Sequence, residues 1–221
     1  MDPKLENKTS ADVVNQHTGE KWYYTDIVKD HFFNPRNLQL EDLDPDKFDA
    51  YGMVGSPACG DMMSMGLKID QATERIMEMK WKTFGCASAI AATSMFSVMI
   101  TENGGLVIAD ALKLRPQDIM MRLGGLPNRK IHCSVLADKA FQKAANDYFR
   151  RRAQYGRIIV EGARVIDQKL NITDKDIEEA VLEGAMDLEG VQKKLKVGIG
   201  SPEIITEVEQ LVRFYKDKYY G

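Results

Sequence analysis

Between residues 63 and 82 apolar and polar side chains alternate in two runs. Met63, Met65, Leu67 and Ile69 are separated by Ser64, Gly66 and Lys68, and Met77, Met79 and Trp81 by Glu78 and Lys80. A period of two with one polar face belongs to antiparallel strands lying on a core, so the runs are expected to pair as a hairpin through the turn Asp70 to Arg75. The pattern then changes. From Cys86 to Thr101, Ala, Ile, Met and Ser occupy most positions, up to Asn103-Gly104-Gly105. A helix of that composition must be buried on most faces. Helices are also expected over Tyr24 to Phe33, stopping at Asn34-Pro35, over Leu106 to Leu114, over Arg115 to Leu123 with Pro116 near its start, and from His132 to Arg152. The acidic stretch Glu41 to Asp49, interrupted by Pro45, reads as a loop, and Gly124-Gly125-Leu126-Pro127 breaks the chain.

Arg150-Arg151-Arg152 and Gly156 mark a boundary. Beyond it, Thr173-Asp174-Lys175-Asp176 has the form of a helix start. Ser201-Pro202-Glu203 is a stronger one, with a capping serine, proline at the first helical position and an acid in the first turn. The helix that follows carries Ile204, Ile205, Val208, Leu211, Val212 and Tyr215 on one face. The expected organisation is a flexible leader at 1–20, a domain at 21–152, a linker at 153–164 and a small all-helical domain at 165–221 that contains neither Cys nor His.

Composition narrows the classes of function. The chain has 221 residues, 44% apolar and 29% charged, an ordinary soluble balance. A net charge of -3 and a pI near 5.7 argue against a nucleic-acid binder, whose surface would be basic. No apolar run reaches the roughly 18 residues that suggest a membrane span. Residues 1 to 20 show neither a secretory core nor an arginine-rich import pattern, so the cytoplasm is expected. Three cysteines cannot all pair within one chain, and in a reducing compartment metal binding or reactivity is the more natural use for them.

Those cysteines sit in Ala58-Cys59-Gly60-Asp61, Phe84-Gly85-Cys86-Ala87 and Lys130-Ile131-His132-Cys133-Ser134. Each lies beside glycine or histidine at what reads as the edge of an element, where a thiolate can face solvent. Buried thiols are the commoner fate of dispersed cysteines; Gly60, Gly85, Asp61 and His132 turn the balance towards a metal site. Thiolates select zinc, copper(I) or iron–sulfur clusters. A [2Fe–2S] unit needs four protein ligands, and zinc takes four, or three with an open position; the inventory fits both. Asp61, two residues after Cys59 and on the same side if Cys59 begins a strand, is one candidate fourth ligand, and His132 is the other. Cys86 and Cys133 both fall at expected helix N-termini, where N–H groups favour a thiolate. A nucleophile–base pair of Cys133 and His132 is disfavoured, because adjacent helical residues do not face each other. The methionines read as core filler, and His17 and His31 as surface or helix residues.

Taken together, Phe32-Phe33-Asn34-Pro35-Arg36-Asn37, Ala58-Cys59-Gly60-Asp61, Phe84-Gly85-Cys86-Ala87-Ser88-Ala89-Ile90-Ala91, Leu123-Gly124-Gly125-Leu126-Pro127 and His132-Cys133-Ser134 resemble the U-type iron–sulfur cluster assembly scaffolds, above all the N-terminal domain of the nitrogen-fixation type. The resemblance covers about residues 22 to 150. It implies an α+β domain with a three-stranded antiparallel sheet and helices on one face. It also implies that Cys59, Asp61, Cys86, His132 and Cys133 surround a site that takes sulfur from a cysteine desulfurase, with Cys133 the expected first acceptor. The site would then assemble iron and sulfide into a [2Fe–2S] cluster for recipient apo-proteins, as a carrier rather than a turnover enzyme. Related zinc-dependent sulfur acceptors carry an insertion before the last cysteine and lack the histidine before it; this chain has His132 and no evident insertion. A zinc-binding sulfur acceptor and a zinc-stabilised adaptor remain the alternatives, and a homodimer could share one cluster.

Two departures accompany the likeness. Leu126, Pro127 and Lys130 stand in the family's chaperone-recognition peptide, but Asn128 replaces its second proline, which weakens the case for a dedicated heat-shock chaperone. Residues 165 to 215 look like the helical [2Fe–2S] module of nitrogen-fixation scaffolds without its cysteines. One cysteine pair would stand near Asp167 and Lys169, and the other would precede Ser201.

Overall fold

The computed structural model describes residues 13–14, 21–55, 62–126, 131–159 and 163–220, with the backbone alone at 13–14, 21–22 and 131–134. The chain divides into two compact units, Met1–Ile158 and Ile159–Gly221. A two-residue ladder, β1 (Val13–Val14) with β2 (Lys21–Trp22), crosses the expected leader boundary at residue 20.

The first unit is an α+β domain. Its sheet is antiparallel in the order β3 (Ala50–Gly55), β4 (Met62–Ile69), β5 (Ile76–Thr83). The expected hairpin is present, with Met65 opposite Trp81 and Leu67 opposite Met79. Its inner face is buried: Met63, Met65, Leu67, Met79 and Trp81. Met77 departs from the expected alternation and is exposed, because the register slips between Lys68 and Ile69 and rotates it out of the core. β3 completes the sheet with Ala50, Gly52 and Val54 inward.

Helices cover that inner face. α2 (Ala87–Thr101) packs on β5, and α5 (Ile131–Arg151) packs on β3, β4 and α2. Ten of the 15 residues of α2 are buried, as its all-round apolar composition requires. α5 runs antiparallel to β3. Its Arg151 donates to the Phe48 carbonyl, and its Asp147 carboxylate accepts the Tyr51 N–H at 2.9 Å. At Gly52 the backbones all but touch: a Cβ there would lie 2.3 Å from the Ala140 oxygen and 2.5 Å from the Ala144 nitrogen.

α1 (Asp26–Phe33) starts at Thr25, whose hydroxyl accepts the Val28 N–H, and packs on α2. Its His31 belongs to a helix but not to the surface. The ring is buried, with Nδ1 2.8 Å from Ser94 Oγ of α2. Ser94 Oγ also accepts the Arg36 N–H, and Ser97 Oγ accepts from Asn37. The serines of α2 thus satisfy the turn Asn34-Pro35-Arg36-Asn37. The helix expected at Leu106 to Leu114 shrinks to α3 (Ile108–Ala111), because Leu106 and Ile108 spend their backbone groups on Ile76 and Glu74 beside the sheet. α4 (Pro116–Arg122) follows. After α5, residues Tyr155–Arg157 form one turn of 3-10 helix, and Arg157 pairs with Glu74, so this part of the expected linker belongs to the first unit.

The second unit is mainly helical: α6 (Asp174–Leu182), α7 (Leu188–Leu195) and α8 (Ile205–Tyr220). A short hairpin, β6 (Val165–Asp167) with β7 (Ile172–Thr173), precedes them, so the unit is not all helix. Thr173 and Asp176 form the expected capping box. Ser201 makes no side-chain cap, because Pro202–Ile204 is a 3-10 turn and α8 begins only at Ile205. Val208, Val212, Tyr215 and Tyr219 are its buried face. Two carboxylates hold this unit together from inside. Glu178 of α6 binds Tyr219 and Lys218 of α8. Asp167, 1% exposed, accepts the N–H groups of Lys169, Leu170 and Gly198 at 3.0 to 3.1 Å.

Candidate metal centre

Of the five residues expected to form the site, Cys86 alone has a described side chain. It is half-buried and is the N-cap of α2, with extended backbone angles. Its carbonyl accepts the Ile90 N–H at 3.0 Å, and the first turn of α2 contains no acidic side chain. This residue stands at the positive end of a helix about four turns long. Two residues on, Ser88 Oγ lies 3.2 Å from the Tyr24 hydroxyl, which ties this end of α2 to the lead into α1.

Cys59 and Asp61 lie outside the described residues, but both strands that flank them are fixed. Gly55, which ends β3, is opposite Met62, which begins β4. Met62 in turn meets the approach to Cys86, since its carbonyl accepts both the Phe84 N–H (3.2 Å) and the Thr83 hydroxyl (2.6 Å). Gly55 and Met62, the described residues on either side of Cys59 and Asp61 in the sequence, therefore lie at the end of the sheet where α2 starts.

His132 and Cys133 belong to the first turn of α5, and their backbone position follows from the packing of that helix. Cys133 precedes Ala140 by seven residues, about 10 Å along a helix axis. Gly55 follows Gly52 by three residues, about 10 Å along a strand. Because α5 is antiparallel to β3, its N-terminus lies toward the Gly55 end. Among the described residues there is no group of three or more His, Cys, Asp or Glu side chains able to hold a metal ion.

The surroundings of this sheet end are partly apolar. Phe84, Met53 and Met62 are exposed, and the Lys82 ammonium lies 5.3 Å from the Phe84 ring. Lys82 also bonds Asp42 at 2.8 Å, which holds the Asp42 carboxyl below its ordinary range. Met62 and Met121 are exposed, so not every methionine is core filler; Met63, Met65 and Met95 are. Of the expected chaperone-recognition residues, Leu126 is half-buried against the core, and Pro127 and Lys130 lie outside the described residues. Thr25 donates to the Leu123 carbonyl at 2.6 Å and so anchors the start of that loop, a contact with no local signal in the sequence.

Fold and site together define a small α+β domain that gathers the approaches to three cysteines at one end of its sheet. The chain belongs to the family described as NifU-like N terminal domain, whose model matches residues 23–155. It is 43% identical over 136 residues to the iron–sulfur cluster assembly scaffold protein IscU 1 of Archaeoglobus fulgidus, a match covering 61% of this chain and 82% of that one. The corresponding protein IscU of Aquifex aeolicus is 41% identical over 132 residues, 59% of this chain and 79% of its own. The nitrogen fixation protein NifU of Nostoc sp. is 33% identical over 199 residues, covering 89% of this chain and 65% of NifU. A match of that length extends into the second unit and leaves about a third of NifU unmatched.

Proposed function

We propose that this chain is a scaffold on which iron and sulfide are assembled into a [2Fe–2S] cluster, held by Cys59, Cys86 and Cys133 with Asp61 or His132 as the fourth ligand, and then passed to recipient apo-proteins. The carrying observation is the position of Cys86. It caps a largely buried helix at the sheet end where β3 stops and β4 begins, on either side of Cys59, and toward which the N-terminus of the Cys133 helix lies. The names of the relatives support the same role. Sulfur comes from a cysteine desulfurase, with Cys133 as first acceptor. The cluster is cargo, so the protein is a carrier and not a turnover enzyme, and it works in the cytoplasm.

In this reading the second unit holds no cluster. It contains no Cys or His, and Asp167, near which one cysteine pair would stand, spends its carboxylate on three backbone N–H groups. Anaerobic reconstitution with ferrous iron, sulfide and a cysteine desulfurase tests the proposal. A [2Fe–2S] absorption spectrum with two irons per cluster, lost on replacing any one cysteine by serine, is the expected result. A colourless protein that keeps tightly bound zinc through the same treatment would favour the zinc-dependent sulfur acceptor. Zinc in a sample never exposed to iron would not, because a three-cysteine site binds zinc readily.

A further inference from the structure

Thr83 is an unremarkable residue in the sequence, and its hydroxyl stands at the junction on which the site depends. The side chain is half-buried at the last position of β5. Its Oγ1 donates to the Met62 carbonyl at 2.6 Å and accepts the Gly85 N–H at 3.0 Å. Met62 is the first residue of β4, covalently three residues from Cys59 and one from Asp61; Gly85 directly precedes Cys86. One hydroxyl therefore uses both its donor and its acceptor capacity to connect the two peptide segments that lead to two of the three cysteines.

Few alternatives to this connection exist at the junction. Regular ladder pairing ends with Met63 opposite Thr83. Past that pair, the only other bond between the two strands among the described residues is the Phe84 N–H to the same Met62 carbonyl, at 3.2 Å. The Gly85 N–H lies beyond the ladder and before the helix, where no strand or helix partner reaches it. A valine of the same shape would fill the same space, take away the partner of that N–H and leave the Met62 carbonyl with the longer Phe84 bond alone. The backbone between Thr83 and Cys86 contains a glycine, so without the bond it has conformations to escape into.

We infer that Thr83 is a positioning residue for the cluster site, a latch that fixes the turn bearing Cys86 against the strand start that follows Cys59 and Asp61. It touches neither iron nor sulfide. The inference rests on the reading of Cys59 and Cys86 as ligands of one site, and its test needs no cluster, so the two can fail separately. In the full-length Cys133→Ser protein only Cys59 and Cys86 remain as thiols. A bis-alkylating reagent that fluoresces only when two thiolates have displaced both of its bromides reports how often they come within bridging distance. Thr83→Val is expected to slow bridging about threefold to tenfold, the order of one net hydrogen bond, and Thr83→Ser is expected to restore the parent rate. Alkylation by a monofunctional reagent should change little and the melting temperature should fall by only the few degrees that one hydrogen bond is worth, about 2–4 °C, which separates a latch from a general loss of structure. If Thr83→Val does not fold, as judged by circular dichroism, Thr83→Ala takes its place in the comparison. Equal bridging rates in the parent, the hydroxyl-free variant and Thr83→Ser, or no bridging in the parent, would overturn the latch. A colourless reconstituted protein with the expected Thr83 dependence would instead sink the scaffold reading and leave the latch standing.

Discussion

Backbone comes close to backbone at Gly52, and that approach sets how far α5 stands from the sheet. An added methyl would lie 2.3 Å from the Ala140 carbonyl oxygen, 2.5 Å from the Ala144 nitrogen and 3.1 Å from its Cα. These are main-chain atoms of a 21-residue helix, so no flexible side chain can yield. Relief to an ordinary contact distance requires the helix and strand to separate by about 1 Å. Overpacking of this kind costs about 1–3 kcal/mol and sometimes more, and the rigid neighbours place Gly52→Ala at the upper end. Loss of glycine's freedom in the unfolded chain offsets about 0.4–1 kcal/mol of that. The net loss of about 2 kcal/mol, at about 2–4 °C for each kcal/mol in a domain of this size, lowers the melting temperature by about 4–8 °C. Differential scanning calorimetry measures it. The control is Gly156→Ala, where a Cβ meets nothing within 4 Å and φ is not positive. A Gly52→Ala protein melting within about 1 °C of that control would refute the close-packing account of β3 and α5.

His31 gives a pH dependence. Burial, with Arg36 and Arg122 nearby and Asp30 opposing them, puts its folded pKa below the ordinary value of 6.5. The unfolded chain then binds the proton more readily, so this contribution to stability is intact above about pH 6.5 and is lost as pH falls through the folded pKa. Urea midpoints at pH 7.5 and 5.5 should differ less in His31→Gln than in the parent; an unchanged difference refutes the assignment. Asp167→Ala should release the turns it joins, seen as faster hydrogen exchange at residues 168–170 and 197–200 with the first unit unaffected; unchanged exchange there would show that the carboxylate is dispensable. Asp61→Ala should lengthen the life of a reconstituted cluster by removing a carboxylate that assists release. Faster decay of its visible absorbance would make Asp61 a holding ligand instead.

Much of the fold was legible because its strongest elements carry strong patterns. The β4–β5 hairpin alternates over a buried face, and α2 is apolar all round, so the helix and the hairpin stand within a residue or two of where the sequence puts them. β3 has no such signal. Its inward residues are Ala50, Gly52 and Val54, small because α5 lies so close, and small residues make a weak alternation. His31, read as a surface or helix residue, gave no sign of its burial because its partner Ser94 is 63 positions away. At the candidate site, residue type alone made the cysteines and their neighbours candidates, whereas Thr83 and Thr25 act through main-chain carbonyls brought near only by the tertiary fold. Ser201 misled for a local reason: serine and proline also open a 3-10 turn, and the α-helix begins after it.

The burial of α2 has a mechanical consequence. A helix enclosed on nearly every side by sheet, α1 and α5 cannot tilt or slide without disturbing the whole core. Cys86 rides on the end of that helix, so in the proposed scaffold it would be the fixed jaw of a vice. The opening that lets a finished cargo leave would then come from the proposed ligands facing it, and an engineer wishing to tighten or loosen the grip would leave the jaw alone and alter what closes against it.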